Sequence, residues 1–185
     1  MALLPIFVSL LVLAGTTESA ADSNGHAAAL TIKGRPTDFD FLIGDWDLDI
    51  QFLKIPGKPP RAHAQRHVRR EYDGRLLVDE VRTPDDSGKV HVTITYRVFD
   101  LRSSLWMSQS LNLDDGSWRE GQAAGAGPEI HVRQWFRGPN GESGVYRSRY
   151  QDIMPDSFVI RVDRSLDGGR TWEDDVQITH AHRVR

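Results

Sequence analysis

Histidines near the C-terminus are the first residues whose type and spacing could carry chemistry. His180 and His182 stand two apart, so on a β-strand their imidazoles would lie on one face together with Val176 and Ile178. We expect that face to point inward. Such a pair could serve as general acid and base, but a metal site needs further ligands from neighbouring strands. The sequence therefore predicts no metal site, and the alternative is a pair of solvated histidines.

Arginines and tyrosines form the second candidate set. Arg66 and Arg70 lie four apart, so on a strand they share one face, and a buried arginine needs an anionic partner from the protein or from a ligand. Asp174 is a candidate partner, and Tyr146 and Tyr150 could add hydroxyl groups to the same cavity. The alternative is a solvated strand face.

The elements that position these residues are predicted to be β-strands. From Trp46 to Phe52 apolar residues alternate with Asp or Gln, and from Val90 to Asp100 apolar residues alternate with His, Thr and Arg. About ten such segments are separated by short turns containing Gly, Asp, Asn or Pro. The pattern predicts an all-β fold, a single antiparallel up-and-down β-barrel over residues 38–185, with an open sandwich as the alternative.

The opening of the first strand carries a resemblance. Gly44-x-Trp46, within the phrase Phe39-Asp40-Phe41-Leu42-Ile43-Gly44-Asp45-Trp46, resembles the lipocalin-like (calycin) barrels, and still more a group of uncharacterised secreted bacterial proteins assigned that fold. The resemblance implies that Trp46 closes one barrel end and packs against an arginine of the last strand, for which Arg183 is the candidate. Arg183 falls on the face opposite Val176 and Ile178, so a bulge or a frayed end would be needed to turn it inward.

The related nitrobindins bind haem through a histidine close to the C-terminus, where this chain has His180 and His182. They also carry Gly-x-Trp-x-Gly-x-Gly, whereas here Leu48 and Ile50 stand on the first strand without such glycines. Haem is therefore a minority expectation, and no cofactor is predicted.

A third motif spans residues 165–172 and reads Ser-Leu-Asp-Gly-Gly-Arg-Thr-Trp. It fits the Asp-box pattern of sialidase propellers, but those enzymes need several copies. A single copy predicts a hairpin turn held by its own Asp and Ser side chains.

The composition of the sequence limits the cellular compartment and the classes of binding partner that we expect. Residues 3–15 form an apolar run followed by small residues, which predicts a signal peptide over residues 1–21, a flexible segment over residues 22–37, and a secreted or periplasmic mature protein without a transmembrane segment. The chain has no cysteine, which excludes disulfides, thiolate metal sites and a lipid anchor of the bacterial lipoprotein kind. Its formal net charge of -3 argues against nucleic acid.

These observations predict a non-catalytic binding protein of the cell envelope. Its ligand would be a small apolar or amphipathic molecule, including an anionic one, in a cavity apolar near Trp46 and cationic at the other end. An enzyme using a C-terminal histidine and a haem protein are the alternatives. The predicted ligand-binding residues are Ile50, Arg66, Arg70, Ile94, Tyr96, Tyr146, Tyr150, His180 and His182.

Overall fold

A computed structural model of the chain describes residues 30–55, 57–137, 141 and 143–185. A short 3-10 helix, Asp40–Leu42, precedes ten strands. The strands are β1 (Gly44–Phe52), β2 (Arg61–Glu71), β3 (Leu76–Pro84), β4 (Val90–Asp100), β5 (Leu105–Asn112), β6 (Trp118–Ala126), β7 (Glu129–Arg137), β8 (Ser143–Met154), β9 (Ser157–Ser165) and β10 (Glu173–Arg183). The predicted signal peptide falls outside the described residues.

Each strand pairs antiparallel with the next, and β1 pairs with β10, so the sheet closes into a barrel. Closure gives every described strand a partner on both sides, which removes the exposed edges of an open sheet. The predicted all-β, up-and-down barrel is confirmed. Over the part of the chain that the structure describes, no helix is long and apolar enough to span a membrane.

One end of the barrel is plugged by the residues that precede β1. Phe39 and Leu42 are fully buried there. The Gly34 N–H donates to the Ser104 carbonyl, 2.7 Å away, in the turn between β4 and β5. The Asp38 carboxylate accepts the Gly125 N–H at 2.8 Å. Part of the segment predicted as a flexible lead-in therefore makes defined contacts with this closed end.

Trp46 lies at the closed end with its side chain fully buried, as predicted. The guanidinium of Arg183 sits 4.1 Å from the Trp46 ring centre and donates to the Ile43 and Phe41 carbonyls. Gly44 has a φ of +118°, and a Cβ there would stand 2.6 Å from Arg183 Nη1. The glycine therefore leaves space for the arginine to reach the tryptophan.

Arg183 reaches this position without a bulge beside it. It pairs directly with Trp46, and the irregularity of β10 lies upstream, between Glu173 and Gln177. From Gln177 onward the odd-numbered residues of β10 face inward. The bulge or frayed end expected to turn Arg183 inward is not needed, because the inward face of β10 is the one opposite Ile178.

The wall formed by β4 and β5 has its polar side inside. Thr95 and Arg97 are buried in the interior, whereas Tyr96 is 36% exposed and Val98 is 47% exposed on the outside. Ile94 shares the outer face with Tyr96, since side chains alternate along a strand. The expectation that Ile94 and Tyr96 line the cavity is therefore corrected. Apolar alternation identified the strand but not which of its faces is covered.

Candidate ligand-binding site

The barrel interior changes character from the closed end to the open end. At the closed end aromatic rings fill the space: Phe39 meets Trp106 edge to face at 5.3 Å between ring centres, and Trp46 meets Phe158 at 4.7 Å. These contacts lie in the preferred range for aromatic pairs. The closed end is a packed core and has no room for a ligand.

An ion-pair triad occupies the middle of the barrel. Arg66 donates to both carboxylate oxygens of Asp79, at 2.8 Å from Nε and 2.5 Å from Nη2. Arg97 donates from Nη1 to Asp79 Oδ2 at 2.5 Å. The three side chains are nearly inaccessible to solvent. A buried arginine pair is tolerable only with such charged, directional partners.

The titration behaviour of the triad follows from this pairing. Burial alone would raise the pKa of Asp79, but attraction to Arg66 and Arg97 outweighs it and holds that pKa at about 2. Burial would lower the pKa of Arg66, yet Asp79 and the Tyr150 hydroxyl raise it above its ordinary value. Asp79 and Arg66 are therefore both charged at neutral pH.

Aromatic faces support the two guanidinium groups. Arg66 lies 5.8 Å from the Tyr150 ring centre and donates to its hydroxyl at 3.4 Å. Arg97 lies 5.3 Å from the Phe39 ring centre. Two cations share one carboxylate, so the triad carries one excess positive charge.

Between the triad and the open end of the barrel, which is the end opposite Trp46, the interior is partly hollow. Ser108, Gln134 and Ser148 face inward by their pairing, yet each is partly accessible to solvent. A filled barrel would bury inward-facing residues at mid-height, so this exposure indicates a lumen that water can enter. Ile50 and Val162 contribute apolar surface to it, at 8% and 9% exposure.

The open end of the lumen carries further aromatic and cationic groups. Tyr146 stacks on Phe136 with ring centres 4.4 Å apart, and Arg119 lies 5.8 Å from the Tyr146 ring centre. Arg164 donates to Glu173 at 2.7 Å. This end therefore offers one flat aromatic surface with positive charge beside it.

The structure brings four of the predicted site residues to the interior: Ile50, Arg66, Tyr146 and Tyr150. Arg70 instead lies at the closed end, where it contacts Asp40 and donates to the Gly74 carbonyl at 2.6 Å. The two predicted arginines therefore do not meet at the open end, where Arg119 and Arg164 supply the positive charge instead. Arg66 pairs directly across from Trp46.

His180 and His182 face outward and are exposed, which corrects the prediction that they enter the cavity. They pair with Asp49 and Asp47 of β1, whose side chains are also exposed. The prediction placed them inward because Val176 seemed to be a core residue. Val176 is fully buried, but it precedes Gln177, where the regular alternation of β10 begins, so its burial does not mark the inward face of the residues that follow.

The outward position of these histidines does not fit haem in the lumen, because neither imidazole reaches the interior. The enzyme alternative also required one of these two histidines in the cavity, and neither lies there. Among the described residues no group of three His, Asp or Glu side chains is placed to hold a metal ion.

His91 lies at the open end and links two turns. Its Nδ1 lies 2.6 Å from Asp114 and its Nε2 lies 3.1 Å from Asp85. Hydrogen bonds to Asp114 and then to Asp85 raise the pKa of His91 above its ordinary value. Lys89 also pairs with Asp114, at 3.1 Å. The cluster joins the β3–β4 turn to the β5–β6 turn at the rim.

The Asp-box segment forms a turn held by its own side chains. The Asp167 carboxylate accepts the Arg170 and Thr171 N–H groups at 3.0 and 2.9 Å, and Ser165 Oγ donates to it at 2.7 Å. These bonds hold the pKa of Asp167 well below its usual range, with the Thr171 N–H as the largest cause. Trp172 stacks against Arg147, 4.4 Å from ring centre to guanidinium, which anchors the start of β10.

Asp79 and Arg97 were missed by the sequence analysis, which named Asp174 as the partner of the inward arginines. Asp174 is exposed and lies near Arg147 on the outside. The available signal was Asp79 itself, which stands in phase with Leu77 and Val81 on the same face of an apolar strand. An acid at such a position has to be paired.

Comparison with known proteins supports the fold. The chain is similar in fold to a solved structure described as "Crystal Structure of Rv2717c from M. tuberculosis". The likeness covers 83% of this chain and 100% of that one, with a TM-score of 0.56 and 15% sequence identity. At that identity the likeness establishes the fold alone. No protein-family model and no curated protein matches the sequence.

Proposed function

We propose that this protein binds a small amphipathic organic anion in the lumen of the barrel, without chemically converting it. The observation that carries the proposal is the triad of Arg66, Asp79 and Arg97. It places one excess positive charge at the floor of a lumen that water can enter.

The charge balance favours an anionic group on the ligand. Within a low-dielectric interior, an unbalanced cation attracts a carboxylate or phosphate far more strongly than it would in water. Arg97 shares its carboxylate partner with Arg66, and its side chain keeps 8% exposure. A ligand oxygen above the triad could therefore accept from Arg97 while Arg66 keeps both of its bonds to Asp79.

The rest of the lumen suits the remainder of such a ligand. Ile50, Ile160 and Val162 supply an apolar surface, and the stacked pair of Phe136 and Tyr146 supplies an aromatic one near the open end. A few polar groups on a mainly apolar concave surface are typical of ligand sites. The ligand would enter with its anionic group first.

Arg97→Met gives a direct test, because it removes the excess charge and leaves the bidentate Arg66–Asp79 pair. The probes are dodecanoate and dodecanol, which differ in the anionic group, with binding measured by isothermal titration calorimetry. We expect the variant to bind dodecanoate roughly 10- to 100-fold more weakly, as loss of one hydrogen bond to a charged group implies. Dodecanol affinity should change little.

Arg70→Met is the matched control, since it removes one arginine at the closed end and outside the lumen. Its affinity for dodecanoate should equal that of the unmodified protein. Equal loss in both variants, or no preference for dodecanoate over dodecanol in the unmodified protein, would contradict the proposal.

A further inference from the structure

The outer face of β4 and β5 is apolar and exposed. Its outward positions carry apolar side chains except at Gln109, which is a neutral amide, and at Asp100, which lies at the end of β4. Exposure is 46% at Val90, 47% at Val98 and 40% at Met107. Two further large apolar side chains, Leu113 and Trp118, extend this surface at the open end with 52% and 54% exposure. We call it the β4–β5 face.

The outer faces of other strands differ in kind. The outer face of β1 carries Asp45, Asp47 and Asp49, all exposed, and that of β8 carries Arg147 and Arg149, which pair with Asp163. The β4–β5 face is thus an apolar patch that contrasts with the charged outer faces of β1 and β8. Contiguous apolar patches of this size mark interaction sites in soluble proteins.

We propose that the β4–β5 face is the contact through which two copies of this chain associate. The exposed apolar side chains amount to on the order of 600 Å² per copy, so two faces together would bury about 1,200 Å², which reaches the size of a specific interface. A twofold contact brings the same surface of each copy together, which requires that surface to complement itself.

The charge distribution favours a second copy as the occupant. The centre of the face carries no charged side chain, so bringing two copies together sets no like charges against each other. Its borders carry both signs, with Glu80 and Arg82 on β3 and Glu120 on β6. Face-to-face packing of two such sheets is the arrangement of a β-sandwich core.

The polar inner face of the same wall accords with this arrangement. Thr95 and Ser110 are buried and hydrogen-bond each other at 2.8 Å inside the barrel, while Tyr96 and Leu111 lie outside. The apolar side of the wall can be withdrawn from water only by something outside the barrel. A second copy would bury it on association.

The test compares molar mass in solution for the full chain and for two variants. Val98→Lys places a charge in the β4–β5 face, because Val98 of β4 lies directly opposite Met107 of β5. Val159→Lys makes the same change on the outer face of β9 and serves as the matched control. By sedimentation equilibrium we expect a dimer for the unmodified chain and for the control, and a dissociation constant raised about tenfold or more for Val98→Lys.

A second measurement needs no variant. Met107 and Met154 are 40% and 58% exposed in the single chain. Oxidative labelling at rising protein concentration should increasingly spare Met107 and leave Met154 unchanged. A monomeric mass at all concentrations, or equal labelling of both methionines, would overturn the proposal. Protection of Met107 without a rise in mass would mean that another molecule or segment covers the face, which also overturns it.

Discussion

Asp79→Asn tests the buried triad directly, because it removes the charge shared by Arg66 and Arg97 and keeps the side-chain shape. The pKa of Asp79 falls from an ordinary 3.8 to about 2, and this difference corresponds to about 2 to 3 kcal/mol of stabilisation. The amide also leaves two buried cations without a counter-charge. Breaking a buried ion pair in this way typically costs about 3–5 kcal/mol.

We therefore expect Asp79→Asn to lower the free energy of unfolding by about 3–5 kcal/mol, measured by urea denaturation at neutral pH. Asp47→Asn, on the exposed outer face of β1, is the matched control and should change it by less than about 0.5 kcal/mol. Adding Arg97→Met to Asp79→Asn should cost less than the sum of the single changes, since it removes one of the two opposed cations.

The pH dependence gives an independent readout of the same group. Asp79 has a depressed pKa in the folded state, so its contribution is fully present above pH 3.8 and is lost as the pH falls through about 2. On acidification over that window the unmodified protein should lose about 2 to 3 kcal/mol more stability than Asp79→Asn. A cost below about 1 kcal/mol for Asp79→Asn, together with an unchanged acid profile, would show that the triad is hydrated and refute the reasoning.

Three further outcomes follow from the same structure. Trp46→Ala should cost about 3–5 kcal/mol by urea denaturation, because it empties the closed end beneath Arg183; a cost near zero would mean that the closed end is not packed. Asp167→Ala should lower the melting temperature and leave dodecanoate binding unchanged, since its bonds stay within one turn; the reverse pattern would give the turn a functional role. The pKa of His91, measured by NMR, should lie above its ordinary value of 6.5, because Asp114 and Asp85 hold the protonated imidazole. These two contacts should therefore persist below the raised pKa of His91 and weaken as the pH rises through it. A titration midpoint at or below 6.5 would contradict the contacts at the rim.

The sequence predicted β1 correctly because the two faces of that strand differ in charge as well as in apolar character. Asp47 and Asp49 cannot be buried without partners, so Leu48 and Ile50 had to face inward. Trp46 and Arg183 were also paired correctly, through the resemblance and not through alternation. The resemblance to calycins otherwise stays a prediction, since the structure confirms the barrel and not that identity.

β4 was misassigned because its polar face is not charged throughout. Thr93 and Thr95 can lie in water or in a polar interior, so alternation alone could not choose the inward face. The choice depends on Arg97, which reaches Asp79 from the adjacent strand. That contact is set by strand register, which a single sequence does not reveal.

His180 and His182 were misplaced for a related reason. The inward face of β10 is fixed by its pairing with β1, where Trp46 lies opposite Arg183. Val176 is apolar and buried, yet it lies in the irregular part of β10, before the regular pairing begins at Gln177. Such an irregularity cannot be derived from the periodicity of one strand.

The central claim is that the cationic triad receives the anionic group of a ligand inside the barrel. The most direct measurement is the ionisation of bound dodecanoate, labelled with carbon-13 at its carboxyl carbon and followed by NMR as the pH is lowered. A carboxylate beside Arg97 should titrate well below its value in free solution, and its pKa should return toward that value in Arg97→Met. A bound carboxylate that titrates at its free-solution value in the unmodified protein would place the head group in solvent and contradict the account.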